Sequence, residues 1–326
     1  MEKDNISKFK NYQSDESIKA LYSNAFCKSS DGLSVSKLSG GMKNSVYLLQ
    51  NGEERIVLKV APKDESKMIS ADRNILWWEA RMLDMMKTIE FPSPRLLYYD
   101  DSLKFCSSPY IFMSYIEGNN YLEYKEKISE NDRKSIEYEI GKLSSRISTI
   151  KGKSFFLPSQ PTKTFNNNFE FVSYLFNMLL NDARNVGLDL ENGNYEKIYQ
   201  ILLMYETELN NISNLCLTHT DIWDGNILIN NGHVTGVVDF SDLYYCDELL
   251  TFYFHTIDGV ISPDFLAGYR KKTLTLDEII RIEIYRMYVI LKMIVDCKLK
   301  QYGRFDWMYD NLNSRINTLR KIKNRG

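Results

Sequence analysis

The residues with the clearest chemical potential lie in one short segment. His219-Thr-Asp221-Ile-Trp-Asp-Gly-Asn226 leads into the apolar run Ile227-Leu-Ile229. A turn at Asn230-Asn231-Gly232-His233 follows, then a second apolar run that ends in Asp239-Phe240. Asn-Gly between two apolar runs specifies a two-residue hairpin, because both residues tolerate the positive φ that such turns require. If Asn230 faces His233, Asn226 opposes Val237, and Asp239 sits diagonally from Asn226 on the same face. Diagonal neighbours have Cβ atoms about 7–8 Å apart or less. An amide oxygen and a carboxylate at that spacing can share a hard cation with ligand bonds of about 2.0–2.1 Å, the magnesium distance. The same register sends Ile227, Ile229, Val234 and Val238 to the opposite face as core. Asp221 precedes Asn226 in the loop and faces the same region from the side of an acceptor. A carboxylate is ionised at neutral pH and can accept a hydrogen bond from a hydroxyl.

A second group lies earlier. Leu38-Ser39-Gly40-Gly41-Met42-Lys43 is a glycine turn entering a strand. Such a turn lets backbone N–H groups approach phosphates, and it reads equally well as a plain turn. Lys59, within Ile56-Val-Leu-Lys-Val60, projects from the strand face opposite its apolar neighbours. A lone lysine there is ordinarily solvated; a partner in Glu79 of the following helix would give it another meaning.

The elements that position these residues fall into two groups. Strand-like runs dominate to about residue 116, including Val46–Leu49, Ile56–Val60, Leu96–Tyr99 and Tyr110–Tyr115. One helix interrupts them, from about Ser70 to Thr88, with Leu76, Ala80 and Leu83 at helical spacing, and Phe91-Pro92-Ser93-Pro94 follows it. Later, Ile136, Ile140, Leu143, Ile147 and Ile150 mark an amphipathic helix, and further helices are expected at 167–184, 194–211 and 277–300. Segregated strands and helices imply an α+β fold of two lobes. The expected division is a helical lead-in over 1–30, a β-rich lobe over 31–117 and a larger, mainly α-helical lobe over 118–326, linked near Glu117-Gly118.

Composition excludes several classes. The chain has 326 residues, with 41 Lys+Arg against 43 Asp+Glu, a formal charge of −2 that argues against a general nucleic-acid binder. Its five cysteines are scattered and form no C-x-x-C pair, which argues against disulfide and structural zinc frameworks. The polar start MEKDNISKFK is unlike a signal peptide, and the apolar stretch Ile279 to Val295 carries Arg281, Glu283, Arg286 and Lys292, unlike a membrane span. A cytoplasmic protein with no membrane or nucleic-acid partner is the expectation; oligomeric state is open.

Taken together, these motifs resemble the aminoglycoside phosphotransferase and choline kinase group, which shares the bilobal protein-kinase fold. The likeness runs in order from Gly40 to Phe252 and rests above all on His219-x-Asp221-x4-Asn226, the apolar strand pair and Asp239-Phe240. Phe112-Met113-Ser114-Tyr115-Ile116-Glu117-Gly118 is similar to the hinge of that group. The resemblance implies that Asp221 is the catalytic carboxylate and that Asn226 and Asp239 hold Mg2+. It implies that Lys59, oriented by Glu79, contacts the α- and β-phosphates of ATP or GTP, with Gly40, Gly41 and Met42 over the phosphates. It further implies that Met113, Ser114 and Ile116 meet the base, the Ser114 carbonyl and Ile116 amide pairing with it. His219 is expected to support the loop. Cys246-Asp247 stands where the group often has Gly-Asp, and Phe240-Ser241 where protein kinases have Phe-Gly.

The acceptor is read from charge. Between Ile198 and Tyr269 there is no lysine or arginine, and there are ten carboxylates. Such an excess would favour a small cationic, hydroxyl-bearing acceptor, an aminoglycoside first of all. Alternatives are a kinase for choline, a ketosamine or homoserine, and a non-catalytic nucleotide-binding module. Choline would want an aromatic cage, for which Trp223, Tyr244, Tyr245, Phe252 and Tyr253 are at hand, although core packing reads the same way.

Overall fold

A computed structural model describes residues 10–38, 43–257, 260–271 and 273–323. Helix α1 (Asp15–Phe26) starts where the Ser14 side chain accepts the Ser17 N–H, and its first turn carries Asp15 and Glu16. It lies on an antiparallel sheet made of β1 (Ser34–Lys37), β2 (Ser45–Asn51), β3 (Glu54–Val60), β4 (Leu96–Asp100) and β5 (Tyr110–Ser114), in the order β1-β2-β3-β5-β4. Ile18, Leu21 and Tyr22 of the helix pack on Tyr47, Leu49, Ile56, Leu58 and Phe112 of the sheet. The front segment is therefore an integral part of the front core.

Helix α2 (Leu76–Thr88) backs the other face of the sheet and carries Glu79. It is shorter than its sequence suggests. Residues Glu65–Lys67 and Ser70–Asp72 form single 3-10 turns instead, and Asn74 adopts φ 54, a left-handed conformation that a helix cannot continue through.

The rear is helical. A short β6 (Asn119–Asn120) and the one-turn α3 (Tyr121–Tyr124) lead to α4 (Glu130–Ile147), β7 (Phe155–Phe156), β8 (Thr164–Phe165) and α5 (Asn168–Asn185). The expected helix over 194–211 breaks at Tyr205 into α6 (Asn194–Met204) and α7 (Glu206–Asn210). Strand β9 (Leu215–His219), the hairpin β10 (Ile227–Asn230) and β11 (His233–Val237), and β12 (Leu243–Asp247) carry the candidate chemistry. Short strands β13 (Thr256–Ile257) and β14 (Val260–Ile261) precede α8 (Pro263–Gly268), α9 (Leu276–Leu299) and α10 (Asp306–Lys323). Helix α9 opens on a capping box between Thr275 and Glu278. The rear core joins α2, α4, α5, α9 and α10 in one apolar cluster that includes Leu83, Ile140, Leu179, Leu291 and Leu312.

The result is an α+β fold with a sheet-built front and a mainly helical rear. Among the described residues no helix is long and apolar enough to cross a membrane.

The hairpin turn adopts positive φ at both Asn231 (49°) and Gly232 (77°), as expected of this dipeptide. Its register is corrected by a bulge. Asn230 faces His233 and Ile229 faces Val234, but Leu228 then faces Gly236, and Ile227, not Asn226, faces Val237. One extra residue on β11 moves every later side chain to the other face. Val237 is accordingly the buried residue, and Val238, expected in the core, is only partly buried.

Candidate active site

Lys59 lies near the end of β3, where one strand face packs on α2 and is closed off from water. Its ammonium donates to both Glu79 oxygens, at 2.8 and 2.7 Å, and to Asp239 Oδ1 at 2.9 Å. Lys59 is 5% exposed and Glu79 1%. Burial alone would lower the lysine pKa. The Asp239 and Glu79 carboxylates more than offset it, so Lys59 titrates above its ordinary range and stays charged. Asp239 is drawn the other way: burial opposes its ionisation, the Lys59 ammonium more than compensates, and its pKa falls. This bridge joins the front sheet to the rear hairpin through side chains 180 residues apart.

Asp221 and Asn226 form the second half. The Asn226 amide donates to the Asp221 main-chain oxygen at 2.8 Å and to its Oδ2 at 3.0 Å. With Nδ2 so used, the Asn226 oxygen faces away as an acceptor. The Asp221 N–H donates to His219 Nδ1 at 3.2 Å, and the imidazole packs edge-on against Phe240. Burial pushes the His219 pKa down to about 4, so the ring is neutral and structural. No lysine, arginine or histidine pairs with the Asp221 carboxylate among the described residues. Burial, then the nearby charges of Asp242 and Asp239, push its pKa well above the ordinary value.

The bulge removes the diagonal spacing expected of Asn226 and Asp239, so what remains in favour of a magnesium ion is their chemistry: the Asn226 side-chain oxygen and the Asp239 oxygen not taken by Lys59. Among the described residues no cluster of three or more His, Cys, Asp or Glu side chains forms a cage. That donor set fits an ion which keeps waters and takes its remaining ligands from a substrate's phosphates.

The hinge candidates lie at the end of β5 and just after it. Met113 is buried on β5 opposite Val57, and Ser114 ends the strand opposite Ile56. The Ile116 side chain rests on Gly236, where an added Cβ would come within 2.7 Å of it. Main-chain pairing of Asn119 and Asn120 with Ile229 and Leu228 seals the link onto the same hairpin that carries Asn226. Gly40, Gly41 and Met42 lie outside the described residues.

Sequence reasoning missed four residues beside this site. Lys43, Asp72, Asp242 and Lys292 form a closed set of ion pairs. Lys43 lies 2.5 Å from Asp72 and 3.4 Å from Asp242; Lys292 lies 3.0 Å from Asp72 and 3.1 Å from Asp242. The available signal was weak: a lysine inside the apolar stretch of α9 and an aspartate three residues after Asp239.

These pairs also correct the charge argument for the acceptor. The base-free stretch is acidic in sequence, yet cations from elsewhere meet its carboxylates. Asp224 pairs with Lys125, Asp239 with Lys59, Asp242 with Lys43 and Lys292, Asp247 with Arg281, and Glu208 with Lys323. The aromatic residues do not make a cage. Tyr244 and Phe252 are in the core, Tyr245 turns toward Trp78, and the Tyr253 hydroxyl donates to the Thr220 carbonyl.

Residues 34–270 match the phosphotransferase enzyme family. No curated protein sequence matches the chain significantly. Among solved structures, the ternary complex of streptomycin, ATP and APH(2")-IIa is similar, with a TM-score of 0.61 at 18% identity, over 95% of this chain and 97% of that one. A protein from Haemophilus somnus 129PT assigned as a fructosamine-3-kinase gives 0.68 at 16%, over 93% and 97%. A thermostable mutant of the aminoglycoside phosphotransferase APH(4)-Ia, in complex with AMP-PNP and hygromycin B, gives 0.62 at 16%, over 92% and 98%. At these identities the likeness is one of fold.

Proposed function

We propose, because this chain belongs to the phosphotransferase enzyme family, that it moves the γ-phosphoryl group of ATP or GTP to a hydroxyl of a small polyhydroxylated amine. The observation that carries this reading is the Lys59 bridge: one buried ammonium held by Glu79 from the front and Asp239 from the rear, beside the Asp221–Asn226 pair.

Each residue then has a defined task. Lys59 presents a fixed positive charge to the donor's phosphates, and Glu79 keeps its ammonium aimed. Asn226 and Asp239 hold Mg2+, which when bound neutralises charge on the donor's phosphates. Asp221 accepts the hydrogen bond of the acceptor hydroxyl and orients its oxygen in line with the phosphoryl group, its Oδ2 fixed by Asn226. Met113, Ser114 and Ile116 border the base. Little covalent work falls to the protein; positioning and charge stabilisation supply the rate.

An aminoglycoside is the first acceptor class. Streptomycin, gentamicin and hygromycin B occupy structures that share this fold. A sugar amine is the second, because the neighbour assigned as a fructosamine-3-kinase has a TM-score of 0.68. Choline loses its support with four of the five aromatic side chains taken up in the core or by other partners. The compensated carboxylates imply that acceptor charge contributes less to recognition than the base-free sequence suggests.

The test is phosphate transfer from γ-labelled ATP or GTP with magnesium to a panel of aminoglycosides, fructosamines and choline. Labelling of an aminoglycoside is expected. Labelling of fructosamines alone would select the second class, and a purified protein that labels nothing and binds no nucleotide would overturn the reading.

A further inference from the structure

The set of Lys43, Asp72, Asp242 and Lys292 spans the front and rear of the molecule, and its two aspartates look interchangeable. Both are buried, at 1% and 2% exposure, and both meet the same two lysines. Lys292 lies on α9, beyond residues 34–270 that match the family.

The two aspartates differ in what else they hold. Asp72 sits in an isolated 3-10 turn, and its main-chain N–H bonds only to the Ile69 carbonyl of the same turn. Asp242 ends the 3-10 turn that begins immediately after Asp239. Its main-chain oxygen accepts two hydrogen bonds from Thr220, one from the N–H and one from the hydroxyl, both 2.8 Å. Thr220 is the residue before Asp221. The neighbouring Ser241 hydroxyl donates to Asp239 Oδ1 at 2.9 Å. Asp242 therefore ties the acceptor-side carboxylate and the metal-side carboxylate to one short turn. Its own side chain is fixed by Lys292 at 3.1 Å and by the Tyr244 hydroxyl at 3.2 Å on one oxygen, and by Lys43 on the other.

We propose that Lys292 and Asp242 are positioning residues for phosphoryl transfer: the Lys292 ammonium anchors the Asp242 side chain, and the Asp242 main chain sets the place of Asp221 relative to Asp239. The inference rests on the phosphotransferase reading above. Asp72 completes the charge balance of the set without touching the catalytic segment. A purely stabilising network would make the two aspartates equivalent; positioning makes them unequal.

The experiment compares Asp242→Asn, Lys292→Met, Lys292→Arg and Asp72→Asn in the full chain, by steady-state kinetics and by hydrogen exchange at the Thr220 amide. Displacing a reacting group by about 1 Å can cost up to ~100-fold, so Asp242→Asn and Lys292→Met should lower kcat by roughly tenfold or more with the nucleotide KM held within about threefold. Lys292→Arg should recover part of kcat, since a guanidinium keeps the charge. Asp72→Asn should retain kcat within about threefold, because Lys292 still reaches Asp242. Thr220 exchange should quicken in Asp242→Asn and hold in Asp72→Asn. Equal losses of kcat in the two aspartate variants, or effects confined to KM, would overturn the inference. If Lys292→Met does not fold, the aspartate contrast decides alone. A wild-type chain without transfer would defeat the assigned reaction instead, and the exchange contrast would still support or overturn the placement by Asp242.

Discussion

Asp221 and Asp247 flank the same pair of strands, β9 and β12, and their surroundings are opposites. Asp247 is 1% exposed and fully served: Arg281 Nε at 2.8 Å, the Tyr285 hydroxyl at 2.8 Å and the Leu249 N–H. Arg281 in turn donates to the carbonyls of Glu208 and Asn211, so this pair staples α9 to α7 and leaves no open side. Asp221 is only partly buried, with an amide on one oxygen and no cation among the described residues, although Lys59, Lys43 and Lys292 are each occupied by another carboxylate nearby. A buried charge that is paired and hydrogen-bonded holds structure together. A half-buried carboxylate without a cation has no such structural duty, and the proposed reaction gives it one, a hydroxyl from which to accept.

The contrast is broken most strongly at its two ends. Asp221→Asn should reduce transfer by about 10²–10⁴-fold, the range for a positioned proton acceptor, measured by product formation. The same change should raise the melting temperature. A carboxyl whose folded pKa is raised loses stability as pH climbs through that titration, and the amide removes the loss. Asp247→Asn should do the reverse. Breaking one side of a buried pair costs about 3–5 kcal/mol, read by denaturant unfolding, while the kcat of the folded fraction stays near wild type.

Lys59→Met sharpens the middle of the comparison, where a served charge is also assigned to the donor's phosphates. It should lower kcat/KM by roughly 10²–10³-fold, as loss of one preorganised charge contact does. A smaller effect belongs to His219. Its folded pKa of about 4 lies below the unfolded value, so the unfolded chain binds the extra proton as pH falls below about 6.5. Stability should therefore drop between about pH 6.5 and 4, and urea titrations of His219→Asn should show a shallower drop over that interval.

Much of this was legible from residues close in sequence. Asn231-Gly232 marks the hairpin turn, and the segment from His219 to Asp239 supplies the rear residues of the candidate site, because turns and short spacings are local properties. The β11 bulge has a local sign, Gly236 inside the strand, but the expected register took no account of it, and the extra residue moves Val238 away from the core. The closed set was not legible. Lys43 and Asp242 are 199 residues apart, and Lys292 reaches the same carboxylate from α9, a further 50 residues on. The apparent acidity of residues 198–269 misled for the same reason, since every compensating cation comes from outside that stretch.

The central claim is that Lys59, Asp239, Asn226 and Asp221 surround one triphosphate, with Asp239 serving the donor and Asp221 the acceptor. Calorimetric titration of Asp221→Asn and Asp239→Asn with nucleotide, with and without magnesium, tests it most directly. Asp221→Asn should bind magnesium-nucleotide as tightly as the unaltered chain, and Asp239→Asn should lose at least about tenfold of that affinity only when magnesium is present. Equal affinity in both variants, or loss of binding in Asp221→Asn alone, would contradict the account.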